Sequence, residues 1–257
     1  MSLTQYLRLV DLQAWMALKS DASRLFLGYL WWVLEPMLYV AVFYVVFDVI
    51  LDAKRADFLV FLMCGKLPFI WFSRSVTQAG GSIVASAGLI GRIDVPKSMF
   101  PMAQVQLNFY KQTVVFAFLF VVLGVAGFGP AWSWMWVVPV IVVQYLFIVA
   151  CSLIASIAVC YIRDFAMVIN LATVFLLFSS GIFWDVRDLG DPRMTELILR
   201  INPVAFLLDA YRQVLMVHTR PDLLHLAVLG AGCCVSIWIT VAFMRWRSQQ
   251  LALRALS

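Results

Sequence analysis

Charge is scarce in this sequence. Asp, Glu, Lys and Arg make up 13% of its 257 residues and apolar side chains 64%, whereas soluble domains run near a quarter charged and half apolar. The mean hydropathy of +0.94 points the same way, so a soluble domain is excluded. Histidine is scarcer still. His218 and His225 are the only two, and neither sits at ligand spacing from other metal-binding residues. The five cysteines (Cys64, Cys151, Cys160, Cys233, Cys234) lie in apolar runs with no CxxC spacing, and read as small hydrophobes without a disulfide frame or metal. No GxxxxGK followed by Ser or Thr occurs; Gly65-Lys66 precedes Leu67 inside an apolar run. No acid/base pair stands outside the apolar runs. Catalytic residues and metal ligands are therefore not expected.

Long apolar runs fill the rest of the chain. A hydrocarbon core about 30 Å thick takes roughly 20 residues at ~1.5 Å rise each. Six runs meet or approach that length: 28–51, 58–80, 102–128, 133–160, 165–184 and 223–244. They leave no room for a nucleotide-binding domain. The net charge of +5 reads as membrane topology, with no nucleic-acid partner. Arg8, Lys19, Arg24, Arg92, Lys97, Arg163, Arg245, Arg247 and Arg254 fall on one side. Lys54 and Arg55, among Asp48, Asp52 and Asp57, fall on the other. The positive-inside rule then makes both termini cytoplasmic. Charge throughout residues 3–24 argues against a cleaved signal.

Between spans two and three lies a polar island, 82–101, punctuated by Gly88, Gly91, Pro96 and Pro101. It is the longest cytoplasmic loop and the place where another protein can push on the helices. Residues 3–24 carry Leu3, Tyr6, Leu7, Val10, Ala14, Ala17 and Leu18 on one arc, with Arg8 and Lys19 opposite. That suits an amphipathic helix lying in the cytoplasmic interface, or an ordinary packed helix. Outside, Asp191-Pro192 and Asn202-Pro203 each place a capping side chain before a proline. They predict two short helices, near 192–201 and 203–217, that dip back into the outer leaflet or form a surface cap. In the second, Leu208, Tyr211 and Leu215 face one way, with Asp209 and Arg212 on the polar side.

Several charges lie at membrane depth. Glu35 falls about two turns into span one, ~10 Å at helical rise. It shares its level with Arg74 and Lys111, which predicts an interhelical pair with one of them. Snorkelling or a static ion pair explains these three as well as a polar pathway does. Lys66 sits alone and is expected to face a watery lumen or the substrate.

Leu27-Gly28-Tyr29-Leu30-Trp31-Trp32-Val33-Leu34-Glu35-Pro36 resembles the LGxLWxxLxP signature of bacterial ABC-exporter permeases for O-antigen, capsular polysaccharide and teichoic acid. Phe61-Leu62-Met63-Cys64-Gly65-Lys66-Leu67-Pro68-Phe69 matches that family in order and spacing. So do Arg163-Asp164-Phe165 leading into Ser180-Gly181-Ile182-Phe183, and Asn202-Pro203 followed by Tyr211-Arg212. The resemblance implies an all-α integral membrane protein with six transmembrane helices. It implies a homodimeric half-transporter in the inner membrane, with two copies of a separate subunit that binds ATP and Mg. The chain itself holds no cofactor. Gly88, Leu89, Ile90, Arg92, Asp94 and Lys97 would couple to that ATPase, helped by 3–24. Segment 185–222, with Asn202, Pro203, Asp209, Tyr211 and Arg212, would form a periplasmic gate. Lipid-linked polysaccharide would pass an aromatic-lined channel, for which Tyr39, Tyr44, Phe69, Trp71, Phe72, Phe183 and Trp184 are candidates beside Lys66. Lys66 departs from the family's usual apolar residue, and an anionic glycan or a local ion pair explains it. Export of a small amphipathic molecule or drug shares this topology. A membrane-embedded lipid-sugar enzyme would need paired aspartates in an aqueous loop, and none is found.

Overall fold

The computed structural model describes residues 2–24, 28–46, 57–92 and 95–256, with the side chains of Leu3 and Arg24 left aside. The described residues contain helices and turns and no strand. Among the described residues, four helical segments are long and apolar enough to cross a membrane: Phe58–Ala85, Met99–Val125, Trp132–Tyr161 and Leu223–Trp246. With this hydropathy, the chain is an integral membrane protein.

The bundle is arranged around α3 (Phe58–Ala85), buried over most of its length. Against it pack α5 (Met99–Val125) and α6 (Val137–Tyr161). A tight reversal joins these two: Gly127 takes φ 89°, and the Phe128 amide donates to the Leu123 carbonyl at 2.9 Å. That is a Schellman closure, in which only glycine adopts the left-handed position without strain. Helix α10 (Leu223–Trp246) lies on the far side of α6.

α1 (Leu3–Arg24) packs along α5 and turns 103° from the segment Gly28–Tyr44, which holds α2 (Trp31–Tyr44). Val10, Ala14, Leu18 and Ala22 form its buried stripe. Leu7, expected on that arc, is exposed instead, because at helical spacing it falls beside Arg8 and Asp11. Leu12, Trp15 and Met16 are also exposed, between Arg8 and Lys19. An apolar strip bracketed by cations suits the membrane surface.

α7 (Phe165–Ser179) has only 15 residues and buries none of them. The apolar run to Trp184 predicted a longer helix. Gly181, at φ 71°, turns the chain out, and its missing Cβ leaves room for Val186, whose Cγ2 lies 2.6 Å from where that atom would sit. Beyond the turn come α8 (Pro192–Ile201) and α9 (Pro203–Leu215). Asp191 Oδ1 accepts from the Arg193 amide at 2.9 Å, and Asn202 Oδ1 accepts from Val204 and Ala205 at 3.1 and 3.2 Å. The two starts predicted from sequence are these caps. Of the first predicted span, 47–51 lies outside the described residues.

Candidate functional site: a polar cleft beside a buried polar node

Helix α9 is inserted into the bundle. Val204 to Arg212 are all buried, Asp209 and Arg212 included. The polar side expected for those two therefore faces into the bundle. A buried charge is tolerated only with partners, and both have them. Asp209 accepts both prongs of Arg187 at 2.9 Å, and Gln213 Nε2 at 2.6 Å. This contact raises the Arg187 pKa further above its ordinary value. Arg212 donates to the carbonyls of Gly181 (2.6 Å) and Ile182 (3.1 Å), and its guanidinium lies 3.5 Å from the Phe61 ring centre. Gly65 makes that approach possible, since a Cβ there would fall 2.5 Å from Arg212 Nη2. Its chain neighbour Tyr211 donates to Gln144 Oε1 at 2.5 Å, and Gln144 Nε2 donates to the Pro68 carbonyl at 2.9 Å. Asn202 Nδ2 reaches Ser180 Oγ at 2.9 Å. Three separate stretches of sequence, 61–69, 180–183 and 202–212, thus meet at one node. Gln144 and Arg187, which nothing in the sequence singled out, complete it.

On the opposite face of α3 lies the cleft, ≈ 370 Å³ in volume. Lys66, Ile70, Ser73, Arg74 and Thr77 recur at helical spacing along its wall, with Gln78 beside them. Glu35 and Tyr39 of α2 and Asn170 and Thr173 of α7 close the other sides. Of the partners that sequence offered Glu35, the fold brings it Arg74, with Nη2 2.6 Å from Oε1. Lys111 goes to Asp21 of α1 at 2.7 Å. Lys66 is 6% exposed, and its Nζ lies 4.6, 5.6 and 5.9 Å from the rings of Phe43, Phe69 and Tyr39. Rings attract a cation by about 0.5–2 kcal/mol but do not cancel its charge.

The other path candidates separate. Tyr39 lines the cleft, and Phe69 backs Lys66. Half-buried Tyr44 packs on the core, while Phe183 sits 4.7 Å from Phe43 and Trp184 Nε1 donates to the Phe178 carbonyl. Trp71 and Phe72 are corrections. Trp71 is enclosed by Phe109, Phe116 and Tyr145, and Phe72 stacks on Phe147, so both face the protein interior.

At the cytoplasmic end predicted from charge, the 82–101 island is shorter than expected: residues 82–85 finish α3, Ala87–Ile90 form α4, and residues 99–101 open α5. Gly88, Leu89 and Arg92 are exposed at its tip. Ile90 is buried, facing inward near α11 (Ser248–Leu256), whose Leu251 and Ala255 are buried too. Lys97 is also buried and donates to the Val95 carbonyl at 3.1 Å, so neither it nor Ile90 offers an exposed contact. Asp94 lies outside the described residues. Tyr6 of α1 bonds Ser98 at 3.1 Å, and burial pushes its pKa up. Among the described residues no three His, Cys, Asp or Glu side chains gather as a metal site.

Residues 97–216, from the start of α5 to the end of α9, match the family described as ABC-2 type transporter. The chain is 27% identical over 236 residues to an O-antigen export system permease protein RfbA of Myxococcus xanthus, covering 91% of this chain and 90% of that one. A protein of the same name from Klebsiella pneumoniae is 28% identical over 191 residues, 74% and 73% of the two chains. The polysialic acid transport protein KpsM of Escherichia coli is 24% identical over 230 residues, 88% of each. In its helical membrane architecture and over most of its length the chain is thus similar to these transport proteins, and over residues 97–216 to the ABC-2 type transporters.

Proposed function

We propose that the chain is the permease subunit of an ATP-driven exporter carrying lipid-linked polysaccharide across the bacterial inner membrane. The cleft is the observation that carries this reading. A groove of hydroxyls, amides, a tyrosine ring and charges is costly at membrane depth and is kept where something polar must pass. Sugars suit it, because their hydroxyls pair with Ser73, Thr77 and Asn170 while ring faces slide on Tyr39. The relatives, named for O-antigen export and polysialic acid transport, support the same substrate class.

In this reading the chain has six spans and works as a homodimer, whose second copy closes the cleft into a channel. α2 and α7 belong to the remaining two spans, and α8 and α9 are re-entrant from the periplasmic side. Both termini are cytoplasmic. Two copies of a separate ATPase, which hold ATP and Mg, grip the α4 tip at Gly88, Leu89 and Arg92. Cells lacking the chain should retain lipid-linked polysaccharide on the cytoplasmic side, detectable only after permeabilisation. Undiminished polysaccharide at the surface of such cells would refute the reading.

A further inference from the structure

Among the described residues, three charged side chains line the cleft: Glu35, Arg74 and Lys66. The first two neutralise each other at 2.6 Å, which leaves one net positive charge. That charge is Lys66. Its side chain is more than nine-tenths buried, lines the cleft wall and has no acid or hydrogen-bond partner among the described residues; the rings of Phe43, Phe69 and Tyr39 are its neighbours. Water solvates so buried an ammonium poorly, and ring faces do not discharge it. Snorkelling does not relieve it either, because the side chain ends among aromatics rather than at an interface.

Resting on the export reading above, we propose that Lys66 is an anion-recognition residue, taking an oxyanion of the transported molecule through its ammonium. The oxyanion is a carboxylate on an acidic sugar or a phosphate of the lipid anchor. Both accept charge-assisted hydrogen bonds from Nζ. The surrounding rings hold the ammonium in place without neutralising it, so the cleft is ready for an anion before one arrives. Ser73 and Thr77 lie two to three turns further along the same wall, where they bond the uncharged part of the glycan. A neutral polymer gains the hydroxyl contacts alone. Lys66 therefore sets which polymers pass.

The test uses the chain reconstituted with its ATPase subunit and reads probe-stimulated ATP hydrolysis. The three probes are a uronate-bearing glycan on a polyprenyl diphosphate, the same molecule with its carboxyls reduced, and the reduced glycan lacking the lipid diphosphate. For Lys66→Gln, the half-saturating concentration should rise about tenfold or more for probes carrying the recognised anion. It should stay unchanged for the uncharged glycan, and Lys66→Arg should restore most of the loss. A rise with the uronate probe alone identifies the sugar carboxylate. An equal rise with both lipid-linked probes identifies the diphosphate. Equal changes with all three probes, or no change with any, overturn the proposal and leave the export reading standing. Failure of every glycan to stimulate the unaltered complex overturns the export reading, and this one with it.

Discussion

Arg212 shows what a single side chain does here. It holds the Gly181 turn and α9 together through two carbonyl bonds, over the Phe61 ring and against the bare backbone of Gly65. Hydrogen bonds from a charged donor contribute about 1.5–3 kcal/mol each, and a carbonyl left buried without its partner costs about as much. Replacing Arg212 with Met should therefore destabilise the protein by roughly 2–4 kcal/mol, lowering Tm by about 5–10 °C in detergent. Arg187 is half exposed, so water partly replaces what it gives Asp209. Arg187→Met should cost less, and thermal unfolding that ranks Arg187→Met as the worse change would contradict this account of the node. Asp209 and Arg212 illustrate how sequence periodicity misleads in a membrane. In a soluble helix a polar stripe faces water, but here it faces a polar pocket inside the bundle, and spacing alone cannot tell these apart. The Asn202 and Asp191 caps were legible because capping is decided within three residues of chain. Gln144 and Arg187 were not, since each acts on a partner far away in sequence.

At the scale of elements, the long spans could be read from run length, and the starts of α8 and α9 from a capping residue and a proline. The stop of α7 was hidden. Ile182, Phe183 and Trp184 continue the apolar run past Gly181, and only the three-dimensional demand for a left-handed residue ends the helix there. α11 was also missed, because a nine-residue helix after Arg245 and Arg247 reads as a charged tail. Its buried Leu251 and Ala255 make it a bracket under α4, where Leu256 approaches Gly91, and the Leu251 carbonyl accepts from Cys160 of α6 at 3.5 Å. This links the α4 tip to the body of the bundle. Leu251→Asp should release α4 and lower transport per ATP hydrolysed several-fold, while the two subunits still co-purify. Unaltered transport per ATP in that variant would show that α11 plays no part in coupling.

Over the whole molecule, burial is lopsided. α3 and α9 are enclosed, whereas α7 presents Met167, Leu171 and Phe175 outward, each more than two-thirds exposed. In a bilayer such a face meets lipid or a second copy, and Asn170 and Thr173 of the same helix form one wall of the cleft. The account requires the bundle to supply a path and a partner to supply the work. The most direct measurement is ATP-driven movement of lipid-linked glycan into proteoliposomes, made with the purified chain, the ATPase subunit, or both. Movement should appear only with both subunits and ATP, and the chain alone should hydrolyse none. Hydrolysis or glycan transfer by the chain without its partner would contradict the central claim.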